Sequence, residues 1–220
     1  MSEAHITVDL QKLQSILAGH LPVYAIKTPH YQALMLESLL EIWRGQPARL
    51  LDIGGGTGVI AQAISQLFPV GSVEAIDLVD RFCPTLTVTT RQYDGRSIPC
   101  ADGAFEAATL NNVLHHVPPA ERGNLMREIR RAVTGPVYIK DHLTTGIMDN
   151  LRLTVLDAWG NIAFGGMVEA KYLSSTEWNE LAAETGYHIG AVAHPMDYRT
   201  GIAALAFPNR LETTMRFDPA

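Results

Sequence analysis

The chain is poor in cysteine, since Cys83 and Cys100 are the only thiols among its 220 residues. Two thiols in a chain of this length do not indicate a disulfide framework. It also has no run of Lys or Arg, and its formal net charge of −6 argues against a protein held mainly by nucleic-acid phosphates. No apolar run approaches the ~20 residues that span a bilayer, and the first residues lack the pattern of a signal peptide. We therefore expect a cytoplasmic protein that binds neither nucleic acid nor membrane.

The composition fits one packed α/β domain with a cap, because 47% of the residues are hydrophobic and 18% are charged. From residue 49 onward, short apolar runs alternate with segments of helical spacing, which predicts a doubly wound, mostly parallel sheet with helices on both faces. A turn between the last two runs indicates a hairpin, so the seventh strand should be antiparallel. The seven predicted strands cover 49–53, 72–77, 87–93, 105–111, 136–141, 188–193 and 202–207.

The same alternation divides the chain into consecutive parts. The regular alternation of strands and helices ends after the fifth strand, where a helix-like piece and a glycine-rich loop form an insertion. It begins again with a capped helix start at Ser174. The predicted parts are an N-terminal helical cap (1–47), a ligand-binding core (48–142), a lid insertion (143–173), the end of the core (174–210) and a tail (211–220).

The most informative stretch is 50–58, which reads Leu-Leu-Asp-Ile-Gly-Gly-Gly-Thr-Gly. A buried strand ends at Asp52, Gly54 and Gly56 follow at alternate positions, and residues 59–67 have helical spacing. Glycine in such a strand-to-helix turn permits positive φ and lets a ligand approach the backbone. The free N–H groups at the helix start favour polar or anionic ligand groups. A tight turn without a ligand is the alternative interpretation.

The order Asp-x-Gly-x-Gly-x-Gly differs from the Gly-x-Gly-x-x-Gly of dinucleotide-binding folds. A carboxylate at the strand end would repel a pyrophosphate and attract a cation. The pattern resembles the first motif of the class I S-adenosylmethionine (SAM) methyltransferases, in which the acidic residue orders the turn and the methionine end of the cofactor. The resemblance implies a Rossmann-like fold and SAM as the cofactor.

Polar residues recur at the ends of the predicted strands, where open α/β sheets bind their ligands. Asp77 lies about 20 residues beyond the glycines, where an acidic residue accepts both ribose hydroxyls. Asp94 follows the third strand and can accept a hydrogen bond from an adenine amino group. Asn111 follows the fourth strand, and its amide can both donate and accept. Each of them alone is also compatible with an ordinary turn.

Further segments resemble the same family. Residues 94–106 look like D-x-x-x-L-P-F-x-D-x-x-F-D, residues 113–117 look like the segment that follows it, and residues 172–187 resemble the helix and strand start after the family's lid. One departure is Pro84, which limits any helix between the second and third strands. The resemblance places the cofactor contacts at Asp52, Gly54, Gly56, Asp77, Leu78, Asp94, Gly95 and Asn111.

Three histidines, His115, His116 and His142, follow predicted strand ends on the cofactor side. A hydroxyl or carbon-acid acceptor needs a base near neutral pH, and histidine is the usual one. These three are therefore the candidate catalytic residues, with a structural role as the alternative for each. A metal site built from His115, His142 and Asp141 lacks the usual ligand spacing, so we expect no metal.

Aromatic residues of the predicted cap and insertion are candidates to cover the carboxyl ends of the predicted strands. A closed roof with glycines that allow movement suits a small-molecule substrate better than a protein or a duplex, whereas the alternative is that the aromatic residues form the core of the cap. The substrate candidates are Tyr24, Tyr31, Trp159 and Tyr172, with Phe164 and Met167 nearby.

The leading interpretation is a SAM-dependent methyltransferase that methylates O, C or N of a small molecule and releases S-adenosylhomocysteine (SAH). A nicotinamide-dependent oxidoreductase is a weaker interpretation, because it would want Gly-x-Gly-x-x-Gly and a Tyr-x-x-x-Lys pair. A SAM-binding protein that is non-catalytic or catalyses another reaction stays open, since a fold does not determine a function. The sequence does not determine the acceptor or the oligomeric state.

Overall fold

The computed structural model describes residues 7–162 and 170–220, with side chains for 7–156 and 170–220. The helices are α1 (Leu10–Ala18), α2 (His30–Glu41), α3 (Val59–Leu67), α4 (Pro119–Ala132), α5 (Ile147–Ile162), α6 (Ser175–Glu184) and α7 (Gly201–Ala206). The strands are β1 (Arg49–Ile53), β2 (Ser72–Asp77), β3 (Thr89–Gln92), β4 (Ala107–Asn111), β5 (Val137–His142), β6 (Tyr187–Val192) and β7 (Glu212–Pro219).

The strands form one seven-stranded sheet in the order β3-β2-β1-β4-β5-β7-β6. Strands β1 to β5 pair in parallel, while β7 runs antiparallel to both β5 and β6. The direction in which the chain adds strands reverses between β1 and β4, which is the position where open α/β sheets bind ligands. The predicted Rossmann-like sheet, mostly parallel with the last strand reversed, is confirmed.

Helices cover both faces of this sheet. On one face α1 and α2 pack with α3, and Leu13, Leu36 and Leu50 are fully buried there. On the other face α4 and α6 bury Met126 and Trp178 against the sheet. Each such side chain contributes about 1.5–3 kcal/mol by leaving water. The carboxyl ends of β1, β2, β4 and β5 are thereby held in a fixed frame.

The predicted position of the seventh strand is wrong. Residues 201–206 form helix α7, in which Ile202 and Leu205 are 84% and 77% exposed. The true strand β7 lies in 211–220, which we predicted to be a tail, and it inserts between β5 and β6. The apolar run Gly-Ile-Ala-Ala-Leu-Ala is rich in helix formers, whereas β7 alternates and buries Met215 and Phe217.

Two local predictions agree with the structure. Helix α6 begins with a capping box, in which Ser174 and Glu177 bond each other's backbone N–H groups. No helix forms in residues 78–88, where Pro84 stands. Among the described helices, none is long and apolar enough to cross a bilayer.

Candidate active site

The glycine turn after β1 is closed tightly on its neighbours. Gly54 and Gly56 have φ values of +72° and +59°, and the Gly54 N–H donates to Ile76 O at 2.8 Å. A Cβ on Gly54 would lie 2.5 Å from Val113 Cγ2, whereas a Cβ on Gly56 would meet nothing nearer than Arg81 at 4.0 Å. The protein therefore fills the space beside Gly54 and leaves the space beside Gly56 for a ligand.

Asp77 joins β2 to this turn. Its carboxylate is buried, and it accepts hydrogen bonds from the N–H of Gly56 (2.7 Å) and of Val79 (3.0 Å). A carboxylate offers about four lone-pair positions, so two remain for further donors. Asp77 thus lies beside the glycine turn with acceptor capacity left for the hydroxyls of a ribose.

Asp52 forms a polar group with two residues of β4. Its Oδ1 accepts hydrogen bonds from the Thr109 hydroxyl (2.6 Å) and from the Asn111 amide (3.3 Å). Burial raises the pKa of Asp52 to about 6, although these two hydrogen bonds oppose the rise. The other atom of the amide, Asn111 Oδ1, is buried without a hydrogen-bond partner among the described residues. An orphaned acceptor beside a buried carboxylate fits the ammonium group of SAM.

An apolar surface and an acceptor lie side by side at the ends of β2 and β3. Leu78 is 46% exposed, and a Cβ on Gly95 would come within 2.7 Å of its Cδ2 atom. Asp94 accepts hydrogen bonds from the N–H of Arg96 and Ser97 at 2.8 and 2.9 Å, and these bonds lower the pKa of its exposed carboxyl. The pairing of an exposed leucine with an ionised acceptor fits a purine ring with an amino group.

Sequence reasoning missed two residues that contact the predicted cofactor residues or the glycine turn. Thr109 stands opposite Asp52 in the β1–β4 register, but its hydroxyl is inconspicuous inside a buried strand. Phe82 lies over the turn, with its Cε1 atom 3.4 Å from the position of a Cβ on Gly55. An isolated phenylalanine in a loop carries no sequence signal for this contact.

His115 and Asp141 form a buried pair at the ends of β4 and β5. The His115 Nδ1 atom lies 2.6 Å from Asp141 Oδ1, and both side chains are 1% exposed. The N–H groups of Leu114 and His142 also donate to this carboxylate. Burial opposes ionisation, but the two histidines outweigh it and hold the pKa of Asp141 well below its usual range.

The three candidate catalytic histidines lie together with Tyr172. The ring centroid of His115 lies 4.0 Å from that of His116, 5.0 Å from that of His142 and 5.5 Å from that of Tyr172. The rings of His142 and Tyr172 are 5.6 Å apart. We call these four residues the histidine cluster. The described residues contain no group of three or more His, Cys, Asp or Glu arranged to hold a metal ion.

Tyr31 joins a buried charged group next to this cluster. Its hydroxyl lies 2.5 Å from Lys140 Nζ, and the same ammonium pairs with Glu212 of β7. Burial, followed by the charge of Glu212, raises the pKa of Tyr31 to about 12. The Tyr31 hydroxyl therefore stays protonated at neutral pH and accepts a hydrogen bond from Lys140.

The other substrate candidates have different positions. Tyr24 lies in the short helix Pro22–Ala25 and packs in the core that α1 and α2 share, so the structure does not bring it to the histidine cluster. The side chain of Trp159, and residues Phe164 and Met167, lie outside the described part of the chain.

A cavity of about 480 Å³ borders the histidine cluster through Tyr172 and does not include the glycine turn. It lies beyond β5, between the starts of α5 and α6. Its other lining residues are mostly hydroxyl or amide side chains: Thr144, Thr145, Gly146, Asn150, Ser174, Ser175 and Glu177. A cavity lined mostly by hydroxyl and amide side chains therefore opens next to the histidine cluster.

The fold and the arrangement of the site are those expected of a methyltransferase, and the match to a family model shows that class. Residues 28–192 match the family described as Methyltransferase domain, so the chain belongs to that family. It is a class I SAM-dependent methyltransferase with SAM as its cofactor.

Individual relatives agree with the family. The chain is 29% identical over 164 residues to the maize (Zea mays) O-methyltransferase ZRP4, covering 67% of this chain and 41% of that protein. This chain spans about two fifths or less of the length of the curated relatives that it matches.

Solved structures share the fold. Magnesium protoporphyrin IX methyltransferase from Synechocystis, with bound SAH, superposes with a TM-score of 0.59 at 14% identity, covering 96% of this chain and 94% of that one. A SAM-dependent methyltransferase from Mesorhizobium loti gives 0.61 at 14% identity, covering 84% and 98%.

Proposed function

We propose that this enzyme transfers the methyl group of SAM to a hydroxyl oxygen of a small molecule. The observation that carries the proposal is the histidine cluster, in which His115 follows the end of β4 by four residues and His142 is the last residue of β5. A hydroxyl is a poor nucleophile until it loses its proton, and histidine is suited to take that proton near neutral pH. The likeness to a plant O-methyltransferase supports an oxygen acceptor.

The cofactor residues divide into three roles in this proposal. Asp52 and Asn111 hold the ammonium end of SAM, Asp77 accepts hydrogen bonds from the ribose, and Asp94 with Leu78 holds the adenine. The open space beside Gly56 gives the cofactor room, and Gly54 and Gly95 supply the positive φ on which their turns depend. Bound SAM supplies a methyl group that is already activated by the adjacent sulfonium.

The chain's main contribution would then be alignment of the two reactants. Holding an acceptor in line with the transferred group can lower a barrier by about 7–11 kcal/mol. The cavity beside Tyr172 supports a small acceptor, because about 480 Å³ lies within the ordinary range of small-molecule sites.

The experiment measures SAM binding and methyl transfer separately. Calorimetry with SAM, SAH and NAD should show binding of the first two at micromolar Kd, about −8 kcal/mol. Incubation with SAM and a panel of phenols, aliphatic alcohols, amines and thiols, followed by mass spectrometry, should yield SAH and an O-methyl product. SAM binding without any methylated product from the panel would favour a non-catalytic or different SAM-dependent role, and NAD binding alone would refute the assignment.

A further inference from the structure

The segment 78–88, which joins β2 to β3, packs on the glycine turn, and we call it the β2–β3 loop. Phe82 Cδ1 lies 3.2 Å from the position that a Cβ on Gly58 would take. The Cys83 N–H donates a hydrogen bond to Thr57 O at 3.0 Å. The loop is therefore anchored on the turn, and the protein itself fills the space beside Gly58.

Arg81 lies in this loop next to the open part of the turn. Its Nη2 atom, at 4.0 Å, is the neighbour that a Cβ on Gly56 would approach. The backbone before it is held, because the Arg81 N–H donates to Val79 O at 2.9 Å and the Val79 N–H donates to Asp77 Oδ1 at 3.0 Å. The guanidinium thus borders the space that we assign to the cofactor.

The side chain of Arg81 is exposed and has its donors free within the part of the chain that the structure describes. There, Arg81 donates a hydrogen bond only through its backbone N–H. By contrast, Arg131 pairs with Glu128, and Arg210 pairs with Asp149. An arginine offers five N–H donors and no acceptor. Arg81 therefore keeps its whole donor capacity for a ligand.

Asp77 and Arg81 carry opposite charges and lie beside the same glycine. Asp77 Oδ2 accepts the Gly56 N–H at 2.7 Å, but among the described residues no ion pair joins this carboxylate to Arg81. A hydroxyl has one donor and two acceptor positions. A ribose hydroxyl beside Gly56 can therefore donate to Asp77 and accept from Arg81 at the same time.

We propose that Arg81 is a further cofactor-binding residue, whose guanidinium donates hydrogen bonds to the ribose hydroxyls that Asp77 accepts from the other side. This assignment rests on the placement of the ribose at Asp77 in the proposed function. Each hydroxyl then lies between an acceptor and a donor, so the site selects a ribose over a deoxyribose. The carboxylate of SAM is the other group that a guanidinium binds, and the experiments separate the two.

Calorimetry with ligands that differ in their hydroxyls tests the contact directly. Arg81→Met should bind SAH about tenfold more weakly than the parent, because it lacks the charged hydrogen-bond donor. The same variant should bind 2′,3′-dideoxy-SAH as the parent does, because that ligand has no hydroxyl to lose. Arg81→Lys should recover part of the loss, since it keeps the charge and not the fork of donors. Arg127→Met, which removes an exposed arginine of α4, serves as the control.

5′-Methylthioadenosine separates the ribose from the carboxylate. It has the ribose and the adenine of SAH and lacks the amino-acid part, and Arg81→Met should weaken its binding about as much as that of SAH. A weaker affinity for SAH with an unchanged affinity for 5′-methylthioadenosine would overturn the proposal, because Arg81 would then bind the carboxylate. Equal losses for SAH and for its dideoxy form would overturn it as well.

Chemical modification of the parent protein gives a readout that needs no variant. Phenylglyoxal reacts with arginine side chains, and peptide mass spectrometry locates each modified residue. With SAH or 5′-methylthioadenosine at about ten times its Kd, Arg81 should react about tenfold more slowly, while the rate at Arg127 should not change. Equal rates at Arg81 with and without these ligands would contradict the contact.

Asp77→Asn separates a failure of this contact from a failure of the proposed cofactor placement. The variant keeps an oxygen for the turn but loses the charge that attracts the hydroxyls, so its preference for SAH over dideoxy-SAH should fall. If the preference falls in Asp77→Asn and stays full in Arg81→Met, only the role of Arg81 fails. If it stays full in Asp77→Asn, the ribose does not lie at Asp77 and both assignments fail. If Asp77→Asn does not fold, the protection of Arg81 in the parent decides.

Discussion

Lys140 Nζ donates a hydrogen bond to Asn112 Oδ1 at 2.9 Å, and Asn112 is the one non-glycine residue in the described chain with a positive φ, +57°. The Asn112 N–H in turn donates to the Lys140 backbone oxygen at 2.7 Å. One lysine therefore holds this left-handed residue through both its main chain and its side chain. Because Asn112 lies between Asn111 and the segment that carries His115, its backbone conformation determines where Asn111 lies relative to the histidine cluster.

Variants of Asn112 separate backbone strain from the lysine contact. Asn112→Ala should be destabilised in two ways. Alanine in the left-handed region costs about 1–2 kcal/mol, and it has no acceptor for Lys140. Asn112→Gly keeps the conformation and loses only the side-chain contacts, those with Lys140 and with the Tyr31 hydroxyl at 3.4 Å. In urea unfolding, the parent should therefore have the highest free energy of unfolding. That of Asn112→Gly should be lower, and that of Asn112→Ala should be lower again by about 1 kcal/mol. Equal stability of the Gly and Ala variants would show that the left-handed conformation is not maintained in solution.

The buried pair of Lys140 with Glu212 should behave as a unit. Lys140→Met leaves Glu212 with Arg199, and Glu212→Gln leaves Lys140 unpaired in the interior. Breaking such a pair from one side costs about 3–5 kcal/mol. The double variant should be less destabilised than the sum of the two single variants, and a cycle of urea-unfolding measurements gives the coupling. Additive losses would mean that the two side chains do not interact.

The parts of the fold that the sequence predicts well are those with local signals. The bounds of β1 and β2 match the structure to the residue, because short apolar runs end at Asp52 and Asp77 and are followed by turn residues. Strand β7 was missed because its Thr, Arg and Asp residues look like a polar tail, while the apolar residues 202–207 look more like a strand. A helix that exposes Ile202 and Leu205 contradicts the usual link between apolar pattern and burial.

The site also divides into residues that have a local sequence signal and residues that have none. The cofactor contacts stay a prediction from spacing, and the structure brings the three histidines together as their strand-end positions indicate. Glu212 and Lys140 could not be predicted, because they are 72 residues apart and meet only through the insertion of β7 beside β5. A lone lysine in an apolar strand, or a glutamate near the end of the chain, is usually exposed.

The pKa of Asp52 leads to a prediction on stability and binding. Burial raises this pKa to about 6, against about 3.9 in an unfolded chain. The folded state therefore prefers the protonated form, and the stability from this group is full below about pH 4 and lost as pH rises through 6. Two units correspond to about 3 kcal/mol as an upper estimate. Asp52→Asn should consequently be as stable as the parent or more so at pH 7.5, as measured by urea unfolding.

The same substitution should weaken the cofactor site. An ionised Asp52 attracts the ammonium of SAM, so the SAH affinity of the parent should rise as pH increases from 5 to 7, and that rise should be smaller in Asp52→Asn. Calorimetry at both pH values checks this result. A variant that is less stable than the parent yet binds SAH with the same pH dependence would show that Asp52 acts on packing and not on the ligand.

Gly54 and Gly56 should respond differently to substitution by alanine. A methyl group on Gly54 would collide with Val113 at 2.5 Å, whereas one on Gly56 meets open space. Both residues have positive φ, so each alanine variant carries a strain of about 1 kcal/mol. Gly54→Ala should therefore lose clearly more stability than Gly56→Ala, and Val113→Ala should restore part of that loss. Gly56→Ala should instead lose only that strain of about 1 kcal/mol and bind SAH at least about tenfold more weakly, because its methyl occupies space that the protein leaves to the cofactor. If Gly56→Ala binds SAH as tightly as the parent by calorimetry, the open space beside Gly56 is not where the cofactor lies.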